Sequence, residues 1–178
     1  MPPAVLTIGH SDHPLDRFLA LLARHGVEAL ADIRRFPGSR KHPHFSRNSL
    51  AALPKSGVEY HWLEALGGRR HQQRDESPNL GLENAGFRNY ADYMLTDEFR
   101  EGVEKLLEVA RRKRTAILCA EGLFWQCHRR LVSDFLAANG VIVQHIMPNG
   151  ELRPQELTSG AVVQGRQVTY PGERSLFT

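Results

Sequence analysis

The chain is short of several things that would place it quickly. It has 178 residues but only two cysteines. Two cannot staple a secreted scaffold of this length, so both are expected as free thiols in a reducing cytoplasm. No Cys-x-x-Cys occurs, which disfavours thioredoxin chemistry. No apolar run reaches the roughly 18 residues that span a bilayer. The opening Met1-Pro2-Pro3-Ala4-Val5-Leu6 lacks the basic flank and long apolar stretch of a secretion signal, so no membrane partner is expected. Gly9 stands alone rather than in G-x-G-x-x-G, and there is no Walker sequence, so no cofactor is expected. Neither cysteine opens a Cys-x5-Arg phosphate loop, because Trp125 and Ser133 stand where the arginine would be. There is no internal repeat, low-complexity tract or long linker.

What is present is ordinary for a protein that buries a real core: 41% hydrophobic and 24% charged residues. The length suits a single domain. Lys and Arg exceed Asp and Glu by 23 to 20, giving +3 and a pI near 9.1. This excess permits an anionic partner without demonstrating one, and a solvated cationic face accounts for it equally.

The hydrophobic pattern alternates strands with helices. Ala4–Ile8 reads as a buried strand ending at Gly9-His10-Ser11. Leu15, Phe18, Leu19 and Leu22 recur at helical spacing, with Ser11 or Asp12 as a cap, Pro14 in the first turn and Gly26 as the stop. Further strands are expected over Val27–Ile33, Val58–Leu63, Thr115–Cys119 and Val141–Ile146. A short helix begins at Ser46 or Asn48, and a long one runs from near Tyr90 to Arg112, with a break near Thr96. Segments 34–47 and 67–87 read as loops. The expected fold is α/β: a single Rossmann-like domain with a mostly parallel open sheet of about five strands and helices on both faces. Residues 1–150 form its body, and 151–178 a C-terminal extension or small hairpin of the same domain.

In such sheets ligands bind beyond the carboxyl ends of the strands. The proposed ends carry Gly9, His10 and Ser11; Asp32, Arg34 and Arg35; Gly67, Gly68 and Arg69; Cys119 and Glu121; and His145. That many polar residues and glycines on one edge suggest a site.

Cys119-Ala120-Glu121, followed after four residues by Gln126-Cys127-His128-Arg129-Arg130, resembles the signature of the family called domain of unknown function 488. Thr7-Ile8-Gly9-His10-Ser11 resembles the family's opening motif. Asp32-Ile33-Arg34 with Pro37 and Ser39-Arg40 resembles its second, and Leu66-Gly67-Gly68-Arg69 and Tyr90-Ala91-Asp92-Tyr93-Met94 its third and fourth. The resemblance covers about Val5 to Gly150. Ile33 stands where valine is usual, and the tail is less characteristic. It implies an α/β fold and a polar pocket, and no settled reaction.

The chemistry therefore has to come from the residues. Glu121 suits an acid, base or carboxylate nucleophile on a strand-following loop, with Asp32 as a second carboxylate; each could instead only pair with Arg34 or Arg129. His10 and His128 are candidate proton carriers. Cys127, in the first turn of a helix, is either an activated thiol or a packed one. Cys119, ending a buried strand, reads as inert. Cys119, Cys127, His128 and His10 offer metal-ligand types, but their spacing is no close zinc knuckle, and no metal is expected; His42 and His44 are weaker still. Gly9, Ser11, Arg34, Arg40, Gly68, Arg69 and Arg129 are the candidate binders of an anionic ligand, a nucleotide or nucleic acid, through helix N-termini and forked guanidinium donors. Loop 34–47 is basic, with Phe36 and Phe45 interleaved. That pattern suits stacking on single-stranded nucleic acid, or phenylalanines that cover the core.

These residues suggest a hydrolase or group-transfer enzyme with a phosphate or nucleotide pocket. The alternatives are a non-catalytic nucleic-acid-binding module using loop 34–47, and a thiol or zinc regulator. Substrate and oligomeric state stay open.

Overall fold

The computed structural model describes residues 1–38 and 40–173. Ser39 of the second motif and residues 174–178 of the tail lie outside the described residues. Among the described residues, eight strands and five α-helices follow in the order β1 (Ala4–Gly9), α1 (Leu15–Arg24), β2 (Ala29–Asp32), α2 (Arg47–Ala51), β3 (Glu59–Trp62), α3 (Ala85–Tyr93), α4 (Asp97–Arg112), β4 (Thr115–Cys119), α5 (Arg129–Ala138), β5 (Ile142–Ile146), β6 (Leu152–Pro154), β7 (Val162–Gln164) and β8 (Gln167–Thr169). The main sheet has the order β3-β2-β4-β1-β5-β6. Its first five strands are parallel, and β6 adds an antiparallel edge. The five expected strands are all there. The sixth, with an exposed burial pattern throughout, carries no hydrophobic signal of its own.

Side chains alternate across the sheet and divide the core in two. Val5, Ala31, Ile117 and Val143 pack with Tyr90, Phe99, Leu106, Leu131 and Phe135 of α3, α4 and α5. Leu6, Leu30, Leu118 and Ile146 pack with Phe18, Leu21 and Leu22 of α1, Leu50 of α2, and Phe45. Helices therefore cover both faces. From β1 the chain leaves through α1 on one face and returns as β2; from β4 it leaves through α5 on the other and returns as β5. The two connections diverge between neighbours β1 and β4, which makes this the switch point where an open α/β sheet has its crevice.

Local signals explain most boundaries, and several differ from expectation. Neither Ser11 nor Asp12 caps α1. Ser11 takes a left-handed φ of 50°, and Pro14 occupies the cap position with no side-chain bond. Gly26 ends α1 at φ 63°, a conformation that costs glycine little. The long helix is two: α3 begins at Ala85, and Thr96 caps α4 by accepting from the Phe99 N–H at 3.3 Å. Asp97 and Glu98 in the first turn of α4, with Arg111 and Arg112 in its last, complement the helix dipole.

The tail folds back onto the body. β7 and β8 form the hairpin, turning at Gly165 with φ 60°. Val168 and Tyr170 enter the core. Tyr170 Oη donates to Asp134 Oδ2 (2.7 Å), Gln155 Nε2 to Asp134 Oδ1 (2.7 Å), and His145 links Thr7 Oγ1 to Gln155 Oε1. This satisfied chain of buried polar groups fastens residues 151–170 to β1, β5 and α5. No helix among the described residues is long and apolar enough to cross a membrane.

Candidate functional site

The site forms where the ends of β1, β2 and β4 are stitched together. Gly9 and Cys119 are paired in register. The His10 N–H donates to Cys119 O (3.0 Å), the Ser11 N–H to Ala120 O (2.8 Å) and the Ile33 N–H to Leu118 O (3.0 Å). Gly9 is required by this approach: a Cβ there would lie 1.7 Å from Glu121 O. Beyond these ends lies a pocket of about 640 Å³.

Its floor is Cys119, Cys127 and His128. Their ligating atoms lie within 4.8 Å of one another, with Cys119 Sγ 4.0 Å from His128 Nδ1. His128 Nε2 lies 3.0 Å from Ile33 O. A carbonyl only accepts, so Nε2 donates to it, and Nδ1 is the ring nitrogen turned towards Cys119. Gly68 lies against this ring; a Cβ there would be 2.7 Å from Nδ1. Cys127 stands one residue before His128, the cap of α5, rather than in the helix's first turn, and its Sγ is 3.8 Å from Phe124 O. A hydrogen bond from Cys127, with His128 and the Arg129 guanidinium nearby, pulls the Cys119 thiol well below its ordinary range despite burial. The same bond and burial push Cys127 up. Of the two thiols, Cys119 is the one drawn downwards; it sits in the buried core, as its strand predicts, and also lines the pocket.

One wall is His10 and Arg34. His10 Nδ1 donates to Ser11 O (2.8 Å), leaving Nε2 to face Arg34 Nη1 at 3.4 Å. Burial holds His10 neutral, down to about 4. Phe45 stacks on its ring at 4.6 Å. Arg34 is itself fixed. Its Nε and Nη2 donate to Asp32 Oδ1 and Oδ2 (2.9 and 2.7 Å), and Tyr60 Oη donates to Asp32 Oδ2. Burial, reinforced by that carboxylate, pushes the Tyr60 phenol up. The Nη1 edge of Arg34 is left towards His10 and the pocket. The lining continues with Arg35, Phe36, Arg40, Lys41, Arg69 and Phe87, the buried Tyr90, and the exposed Glu121 and Gln126. Arg69 has a left-handed φ of 57°, an outlier for a long side chain. Tyr90 Oη donates to Leu66 O (2.6 Å), and its ring lies 4.8 Å from that of His128.

Of the residues singled out in the sequence, His10, Arg34, Arg40, Gly68, Arg69, Glu121, Cys127 and His128 line this pocket. Gly9, Ser11, Asp32 and Arg129 stand behind it. Asp32 is fully buried and spends both oxygens on Arg34 and Tyr60. Arg129 is 1% exposed and donates to the main-chain carbonyl of Glu121 (2.8 Å) rather than to any carboxylate. Glu121 is exposed at the rim. The two phenylalanines of the basic loop part company: Phe45 is fully buried, whereas Phe36 is 66% exposed beneath the Arg35 guanidinium. Tyr60, Phe87 and Tyr90 were not picked out as site residues, although Tyr90 opens the fourth motif. Loop 67–84 is pinned by Asp92, which accepts from Ser77 Oγ and Asn79 Nδ2 (both 2.7 Å), and by Arg70, over the Tyr93 ring and bonded to Glu64 O.

Fold and pocket together define a Rossmann-like α/β protein with a thiol-imidazole floor at its switch point. The chain belongs to the family described as Domain of unknown function DUF488, whose model matches residues 14–136. That span contains every floor residue and the Asp32–Arg34 wall, and starts after the β1 motif. No curated protein and no solved structure matches the chain.

Proposed function

We propose that this protein is a hydrolase or group-transfer enzyme that acts on a phosphorylated ligand of the nucleotide class. The observation that carries this reading is the charge of the pocket lining. It has five Lys and Arg side chains, at 34, 35, 40, 41 and 69, against one carboxylate, Glu121, although Arg34 is paired with Asp32 and Arg35 with Glu64 (3.6 Å) outside the lining. Guanidinium groups are the preferred donors to phosphate oxygens. The volume, about 640 Å³, suits a ligand of that size, and Phe36 and Phe87 give a base or sugar apolar surface. Asp32 and Tyr60 act as positioning residues for Arg34. Arg129 positions the Glu121 loop through its main-chain carbonyl. His10, neutral at physiological pH, and Glu121, which both line the pocket, are the groups suited to move protons. Two free thiols fit a reducing compartment such as the cytoplasm.

Isothermal titration with inorganic phosphate and the common nucleoside 5′-monophosphates tests this reading. Saturable binding is expected to weaken about tenfold or more in Arg69→Gln, the loss of one charge-assisted hydrogen bond. No binding of any probe at low salt would contradict it. One observation favours the second reading, a nucleic-acid-binding module: the exposed Phe36 ring beside Arg35. A module of that kind binds oligonucleotides equally well in Glu121→Gln and turns nothing over. An enzyme loses turnover in that variant by roughly 10²–10⁴-fold.

A further inference from the structure

We infer that Cys119, Cys127 and His128 form a zinc site whose fourth coordination position opens into the pocket. Two thiolates and an imidazole are the donor set of a soft-to-borderline cation, not of magnesium or calcium. Their three ligating atoms already lie within 4.8 Å of one another. Tetrahedral zinc with bonds of about 2.0–2.3 Å needs them roughly 1 Å closer at the widest pair, a change that side-chain rotation supplies.

Two independent features prepare the site. The first is the hydrogen bond of His128 Nε2 to Ile33 O, 3.0 Å. Metal-ligating histidines commonly donate their other ring N–H to a carbonyl or carboxylate, which fixes tautomer and ring plane; here it leaves Nδ1 as the ligand atom, on the side of Cys119. The second is charge. Two thiolates and one Zn²⁺ sum to zero, and the cluster sits beside Arg34 and the buried Arg129, which disfavour an additional bare cation but accept a neutral complex.

Three protein ligands with the fourth position facing a ligand-sized cavity is the arrangement of a catalytic rather than a structural zinc. The open position takes water or an oxygen of the bound ligand, and the metal acts there as a Lewis acid. Zinc binding itself stands on the cluster alone. Its catalytic meaning rests on the proposed enzyme reading.

The test is direct metal analysis of the full chain, purified under reducing conditions, loaded with zinc chloride and desalted. Elemental analysis is expected to return about one zinc per chain. Replacement by Co²⁺ is expected to give thiolate-to-cobalt charge-transfer absorption and the intense visible bands of a tetrahedral site. Cys127→Ser and His128→Gln are expected to lose zinc affinity at least 100-fold while circular dichroism stays that of the wild type. Wild-type protein that retains a tenth of an equivalent or less overturns the inference, however the variants behave. So does zinc that persists unchanged in folded Cys127→Ser. Nucleotide titration of both the zinc-loaded and the zinc-free protein keeps the two readings apart: stoichiometric zinc with no nucleotide binding in either form overturns the enzyme reading alone, and nucleotide binding by a protein that takes up no zinc overturns only this inference.

Discussion

Replacing Asp32 by asparagine is expected to be costly to the fold, although the residue never touches the pocket. Asp32 is fully buried and neutralises Arg34, itself 7% exposed. It accepts from the Arg34 main-chain N–H, Nε and Nη2 and from Tyr60 Oη. Asparagine keeps the shape and removes the charge, which leaves a buried guanidinium without its counter-ion. Breaking a buried pair from one side costs about 3–5 kcal/mol. At about 2–4 °C per kcal/mol for a chain of this length, Tm is expected to fall by roughly 6–20 °C. Urea denaturation of Asp32→Asn and of the double variant Asp32→Leu/Arg34→Met provides the assay. Removing both charges leaves no buried charge unpaired, and only Tyr60 Oη and the Arg34 main-chain N–H lose their acceptor, so the double variant is expected to recover part of the loss. An Asp32→Asn protein within about 1 kcal/mol of wild type would refute the reasoning. So would a double variant no more stable than the single one.

Acid stability follows from His145, 1% exposed and held down to about 4 by burial. An unfolded chain takes up this proton near 6.5 and the folded one only near 4. Stability is therefore complete above pH 6.5 and falls by about 3 kcal/mol as pH drops to 4. The denaturation midpoint of the wild type is expected to fall more steeply than that of His145→Asn over this window, and parallel profiles would count against it. Gly68→Ala puts a Cβ 2.7 Å from His128 Nδ1. It is expected to leave the far-ultraviolet spectrum intact and to weaken nucleotide binding about tenfold, measured by titration. Gly9→Ala meets main chain instead, 1.7 Å from Glu121 O, and is expected to yield little soluble protein, read from the soluble fraction after expression. Tyr170→Phe removes the 2.7 Å bond to Asp134. It is expected to cost about 1–3 kcal/mol in urea denaturation, through a buried carboxylate left short of a donor.

Most of the sheet was legible because its central parallel strands are short apolar runs bounded by glycines and polar turns, as β4, Thr115–Cys119, illustrates with every residue buried, whereas β3, Glu59–Trp62, shows only alternation. β6 was not: it is exposed, three residues long and ends in proline, and pairing alone makes it a strand. The helix break at Thr96 had a readable cap, but the start of α3 at Ala85 rests on Asn84, whose side chain accepts from the Phe87 N–H. At the site, the strand-end rule found the right edge of the sheet. It did not tell which way each charged group faces. Asp32 and Arg129 stand behind the wall because their partners, Arg34 and the Glu121 carbonyl, come from loop geometry that no spacing encodes. Cys119 is both buried in the core, as its strand predicts, and part of the pocket lining. A residue buried in a strand and a residue lining a pocket look alike until the neighbouring strands end beside it.

The account is tested most directly by a crystal structure of the protein grown with adenosine 5′-monophosphate. The phosphate is expected within about 2.7–3.2 Å of a nitrogen of Arg34 or Arg69, on the side of the pocket facing Cys119 and His128. A nucleotide bound elsewhere on the surface, with this pocket empty at saturating concentration, would contradict it.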